Sequence, residues 1–260
     1  MTDFRQGPLA PTFAAMETVM QTVDNLFHQN QGKAVLDSHR LATRAALGLF
    51  AKARKSANAL YVMALNGFGE DAMILARSLV NIAIDLRFIC GDRDVSESRA
   101  RNWIARGRVG RREFAVRAGT VAPDESRVDW TKETELSEQW KATSIYARAD
   151  IAGLGNFYNL PYRHGSVFEH SDSWSALSFV DFDDAEAWLL TDSSERFVDL
   201  ALLSSSCALA QVIEDVGRYY EFEFGDALKH MEAAIHKGFP LDDNGATARQ
   251  QVRDSGGERL

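Results

Sequence analysis

The stretch EDAMILARSLVNIAIDLRFIC, residues 70–90, decides how this chain folds. Met73, Ile74, Leu75, Leu79, Val80, Ile82, Ile84, Leu86, Phe88 and Ile89 cover most of a helical circumference. A helix that is apolar nearly all round belongs in the middle of a bundle, where neighbours cover every face. Three polar residues interrupt it. Arg77, Asn81 and Asp85 stand at i, i+4 and i+8, which is one stripe on one face. Such a stripe is either a network satisfied within a buried seam or one wall of a polar site.

Downstream, Gly91-Asp92-Arg93-Asp94 reads as a turn, with Ser96 and Glu97 as caps for the next helix. That helix, 96–118, carries Arg99, Arg101, Arg106, Arg108, Arg111, Arg112 and Arg117. It is the one basic run in a chain of formal net charge -8. It reads as a solvated face or as a local groove for a phosphodiester backbone. Trp103 and Phe114 on it read as core. Residues 120–129 form a loop, and a helix with a break runs from Trp130 to Ile151. Gly153 and Gly155 interrupt it. Pro161 suits the first turn of a further helix, where its missing N–H costs nothing.

Residues 172–184 read as irregular, with a short extended piece at 176–180. Asp181, Asp183 and Asp184 lack the alternation and closing glutamate of a calcium loop, so they read as a cap or solvated loop. A second core helix covers 195–222 and a shorter one 225–236. Upstream, a helix over 34–65 is preceded by one over 11–29, which Asn30-Gln31-Gly32 ends. The fold class expected is all-α: one antiparallel helical bundle over 11–238, with extra N- and C-terminal helices. Flexible ends are expected at 1–10 and 239–260.

Bulk properties narrow the function. An acidic balance argues against a general nucleic-acid-coating protein. Cys90 and Cys207 lie in apolar segments and read as buried thiols. No CxxC or HExxH spacing is present, so no metal and no cofactor are expected. Neither a signal-peptide layout nor a membrane span is read, which predicts a soluble, cytoplasmic protein.

The chemistry concentrates at Tyr162-Arg163-His164-Gly165-Ser166-Val167-Phe168-Glu169-His170-Ser171. On a helix, Arg163, Ser166 and His170 share one face, with Arg163 and His170 about 10 Å apart along the axis. An arginine, a hydroxyl and a histidine can grip a phosphate and move a proton. The same residues also fit a helix polar on one side, with His170 as a cap and Arg163 held by a carboxylate such as Asp85.

Ala76-Arg77-Ser78-Leu79-Val80-Asn81 together with Tyr162-Arg163-x-x-Ser166-x-x-x-His170 resembles a family of bacterial helical proteins. Its members show R-S-L-x-E followed later by Y-R-x-x-S-x-x-x-H. The resemblance spans roughly residues 35–220. It departs at Asn81, where that family has glutamate. The late motif also resembles that of the HEPN superfamily, all-α nucleotide- and RNA-binding domains, with Arg163 and His170 at the long end of its spacing.

That resemblance implies a metal-independent endoribonuclease of the toxin or phage-defence kind, acting as a homodimer. His170 would be general acid or base and Arg163 would stabilise the charged phosphorus. Arg77, Asn81, Tyr162, His164 and Ser166 would bind or position substrate. RNA or a nucleotide is the implied partner, and an antitoxin a further one. A non-catalytic nucleotide- or anion-binding module, or a protein-interaction module, is the alternative.

Overall fold

The computed structural model describes Arg5 and residues 7–35, 40–120, 128–163, 165–166, 180–182, 187–189 and 195–239. Nine α-helices are found among them, together with one small hairpin. The protein is all-helical in class, as its apolar periodicities require.

Helix α3 (Gly69–Cys90) lies at the centre. Met73, Leu79, Ile82, Ile84, Leu86 and Ile89 are sealed from solvent. Its most extensive neighbour is α8 (Val198–Tyr220). Helices α2 (Leu41–Leu65), α4 (Arg93–Arg117) and α6 (Ile145–Ile151) pack on it as well. Helix α8 is long and apolar enough to cross a membrane, yet 67% of that stretch is buried within the protein. Its composition therefore matches a core position.

The glycine that begins α3 is fixed by this contact. A Cβ on Gly69 would stand 1.8 Å from the Arg196 carbonyl oxygen, just before α8 starts. On the far side of α8, α1 (Ala10–Val35) packs against α9 (Ala227–Gly238). Thr12 Oγ1 donates to the Gly238 carbonyl across that crossing at 3.3 Å.

Several boundaries differ from expectation. Helix α1 runs past Asn30-Gln31-Gly32 to Val35. Asn30 does not stop it, because Nδ2 donates to the Leu26 carbonyl within the helix at 3.0 Å. Its Oδ1 accepts from the Glu223 N–H at 3.2 Å, pinning the turn after α8. The second helix accordingly starts at Leu41, not near Ala34.

Helix α4 starts at Arg93, three residues before the expected Ser96. Asp92 is its cap and accepts from the Asp94 N–H at 3.0 Å. Glu97 does cap a helix, but another one. Its two oxygens accept from Leu41 N and Ala42 N, both at 3.1 Å. Arg40, at the N-cap of α2, has no side-chain acceptor to offer these amides, so α4 supplies it.

Helix α4 leaves the core as it proceeds. Its buried positions, Ser96, Ala100, Ala105 and Val109, end there, and α5 (Trp130–Ala142) becomes its main partner. Trp103 packs against the core as expected, but Phe114 is 73% exposed. The apolar seam has run out one turn earlier, so nothing on the core side reaches it. The break expected within 130–151 falls at Thr143-Ser144.

Val180–Phe182 (β1) pairs antiparallel with Ala187–Leu189 (β2), so Val180, the last residue of the expected extended piece, is in a strand. Residues 121–127 of the interior loop, residues 176–179 of the expected extended piece, residues 1–4 and 6, and the tail from 240 lie outside the described residues.

Three acidic residues, Glu70, Asp85 and Asp215, are buried among the described residues, and Asp215 sets a pH dependence. Asp215 on α8 is 4% exposed and pairs with Arg87 of α3. Burial pushes its carboxyl up to about 7, with Glu214 adding to the rise; Arg87 and the Gln211 amide pull the other way. The folded-state value lies above that of an unfolded aspartate, about 3.9. The folded protein therefore holds the proton more tightly. The resulting stability is fully present below the unfolded value and is lost as pH rises through about 7. The melting temperature is expected to fall between pH 6 and pH 8, and Asp215→Asn to flatten that slope. An unaltered slope in the variant would refute the assignment. Burial likewise pushes the Cys90 and Cys207 thiols up, to about 12 and about 11.

Candidate functional site

The chain reaches the motif through two local devices. Helix α6 closes at Gly153, whose φ of +69° is the left-handed conformation glycine tolerates. Gly153 N–H donates to the Asp150 carbonyl and Leu154 N–H to the Ala149 carbonyl. A single helical turn, α7 (Gly155–Phe157), follows and widens into a π-helical turn over Tyr158–Tyr162. Pro161 lies inside that turn and does not open a new helix as expected. A proline cannot donate to the helical ladder and clashes with the carbonyl four residues back; the wider π turn accommodates it.

The segment after Pro161 lies directly on α3. A Cβ on Gly165 would meet Arg77 Cβ at 2.5 Å and the Met73 carbonyl oxygen at 2.8 Å. No larger side chain fits between the two backbones. This approach brings Arg77 against the motif. Its Nε donates to Ser166 Oγ at 2.8 Å and its Nη2 to Tyr162 Oη at 2.9 Å. The guanidinium carbon also stands 4.6 Å from the Tyr162 ring centroid. Ser166 Oγ in turn donates to the Tyr162 carbonyl at 2.8 Å. Tyr162 Oη accepts from Arg77, so its own proton is directed elsewhere.

The rings extend the cluster outward. Tyr158 stacks on Tyr162 with centroids 5.1 Å apart, and Tyr146 meets Tyr158 edge-on at 5.3 Å. Tyr146 is 55% exposed, so the ladder runs from the α3 surface to solvent.

The stripe on α3 divides between two tasks. Arg77 serves the motif. Asn81 Nδ2 donates to Asp85 Oδ2 at 3.3 Å, and Asp85 Oδ1 accepts from Arg148 Nε at 2.8 Å. Arg148 is also hydrogen-bonded to the Thr143 carbonyl and lies over the Trp140 ring at 4.6 Å. Burial raises the Asp85 carboxyl above its ordinary value, and the Arg148 guanidinium opposes that rise. The carboxylate considered as a partner for Arg163 is thus held by Arg148. Arg163 itself is exposed.

Of the predicted site residues, the structure joins Arg77, Tyr162 and Ser166 directly. Asn81 lies one turn along α3 from Arg77 but bonds away from it. His164 and His170 lie outside the described residues. Residues that the sequence reading passed over also contribute. Gly165 permits the contact, and Tyr158, four residues before Tyr162, continues the ladder at helical spacing. Arg148 anchors α6 beneath the site. Only Tyr158 had a signal in the sequence, its i, i+4 relation to Tyr162.

An all-helical frame, with an arginine of its central helix clamped onto a tyrosine–serine turn, defines the class of protein. The chain belongs to DUF5677, a family of unknown function, whose model matches residues 43–187. The match is narrower than the 35–220 anticipated, yet it contains both Arg77 and the motif. It omits α8, the largest neighbour of α3. No curated protein and no solved structure matches the chain.

Proposed function

We propose that the chain is a single HEPN-like antiparallel bundle and a metal-independent endoribonuclease. It would be cytoplasmic and homodimeric, of the toxin or defence kind, with an antitoxin as a further partner. The observation that supports this best is the clamp of Arg77 onto Tyr162 and Ser166. It fixes the backbone from which the exposed Arg163 projects and from which the chain continues to His170. In the proposed step, a ribose 2′-oxygen attacks the adjacent phosphorus and the bond to the 5′-oxygen breaks. His170 moves the proton, either from the attacking hydroxyl or to the leaving oxygen. Arg163 pairs its N–H donors with the charged phosphoryl oxygens. Tyr162 and His164 orient the phosphate.

The test is incubation with RNA in the presence of EDTA. Products ending in 2′,3′-cyclic phosphate are expected, and His170→Ala and Arg163→Ala should abolish them. RNA left equally intact by wild-type protein and both variants would sink the reading.

A second reading has its own support. Arg77 already donates to two protein oxygens, as a purely structural arginine would. A non-catalytic module binding a nucleotide or other small anion predicts a raised melting temperature with nucleotide and no turnover.

A further inference from the structure

Between α4 and α5 the surface opens into a groove of about 860 Å³. Arg106, Arg108, Arg111 and Arg112 line it, together with Phe114 and Trp130. We propose that this groove binds a single strand of nucleic acid, its phosphates on the arginines and its bases against the exposed Phe114 ring.

Charge is the first argument. Helix α4 carries eight arginines against Asp94, Glu97 and Glu113, within a chain of net charge -8. A positive strip concentrated on one helix of an acidic protein is a localised field for a polyanion. Some of these arginines have protein partners. Arg108 pairs with Glu133 at 2.9 Å, and Arg112 lies over the Trp130 ring at 4.4 Å. Arg106 differs: its Nη1 is buried and has no hydrogen-bond partner among the described residues. The second oxygen of Glu133 is also unpartnered, so it does not bond to Arg106. A buried guanidinium nitrogen without an acceptor is costly, and a phosphate oxygen entering the groove supplies one.

The glycines are the second argument. Gly107 and Gly110 also line the groove, in the interior of a helix, where glycine is destabilising relative to alanine. Internal packing does not require them. Among the described residues, a Cβ on Gly107 would meet nothing within 4 Å, and one on Gly110 only Arg106 Nη1, at an ordinary 3.6 Å. Bare backbone on the groove side allows a ligand close approach.

The exposed ring selects the ligand. Phe114 is 73% exposed beside the arginines. An aromatic face next to a basic track suits a strand whose unpaired bases stack on it. An acidic peptide gains nothing from Phe114.

Binding at the groove does not depend on His170. Naming RNA as the strand rests on the ribonuclease reading above. The test titrates the full wild-type chain against a fluorescein-labelled single-stranded 2′-O-methyl RNA oligonucleotide, which has no free 2′-hydroxyl to attack the phosphate, followed by anisotropy over a series of salt concentrations. Arg106→Ala and the exposed Arg111→Ala should each weaken binding about tenfold and lower the salt slope by about one. Phe114→Ala should weaken binding without changing the slope. Circular dichroism of Arg111→Ala should match wild type.

Absence of binding by wild-type protein overturns the proposal, as do arginine variants with unchanged affinity and slope. So does a poly-glutamate peptide bound as tightly as RNA and equally weakened by Phe114→Ala. Binding as described with no cleavage of unmodified RNA sinks the ribonuclease reading and leaves the groove standing. Cleavage unaffected by the arginine variants does the reverse.

Discussion

Arg148→Ala is expected to lower the unfolding free energy by about 3–5 kcal/mol, the usual cost of stranding one member of a buried ion pair. The side chains of Arg148 and Asp85 are 10% and 8% exposed, so water does not replace the lost partner. The arginine also leaves the Thr143 carbonyl at the end of α5 and the face of Trp140. Asp85 can escape the penalty by taking up a proton, which burial already favours. Its folded-state value rises further once Arg148 is gone, so the deficit should grow with pH. Denaturant unfolding at pH 5 and pH 8 checks this, with the larger loss expected at pH 8. The double variant Asp85→Leu, Arg148→Met should recover most of the stability, because an apolar pair carries no desolvation cost. A single variant as stable as wild type at pH 8 would contradict the assignment.

Gly165→Ala is the second large effect expected. The added methyl falls 2.5 Å from Arg77 Cβ and 2.8 Å from the Met73 carbonyl oxygen. Both atoms belong to α3 or are fixed close to its backbone, so rotamer changes do not relieve the clash. Overpacking of this kind costs about 1–3 kcal/mol. The motif segment is the side that yields, because α3 is wedged among α2, α8 and α6. Separation breaks the Arg77 bonds to Tyr162 and Ser166 together. Near-ultraviolet circular dichroism of the tyrosine ladder should change while far-ultraviolet helicity persists. Any catalytic activity of the motif should fall further than in Ser166→Ala, which loses one of the two Arg77 bonds and the bond to the Tyr162 carbonyl but keeps the close contact. Retention of the wild-type near-ultraviolet spectrum would show that the close approach is not needed.

These two sites show what the sequence could and could not convey. The central position of α3 was legible because its apolar residues leave no face for solvent. The polar stripe Arg77, Asn81 and Asp85 was legible by the same periodicity. Its division between two partners was not, since Arg148 is brought to α3 by the break at Thr143-Ser144 and the motif by the turns at Gly153 and Pro161. Local propensity misplaced both ends of the link between α1 and α2. Asn30 resembles a stop but is satisfied by α1 and by the turn after α8. Arg40 is a poor cap, and its work is done by Glu97 from another helix. Phe114 was read as core because aromatic residues usually are; only the end of the α4 seam at Val109 shows otherwise.

The pairing of α3 with α8 also bears on how the chain is made. On a ribosome, α3 is complete about a hundred residues before α8 begins. Until then its widest apolar face has no cover, and the partner that arrives is itself as apolar as a membrane segment. Nascent intermediates of this kind are the ones chaperones hold, and folding must wait for a contact of long sequence separation. Truncation before Val198 therefore leaves α3 without its largest neighbour. It should yield aggregates, not a smaller native bundle.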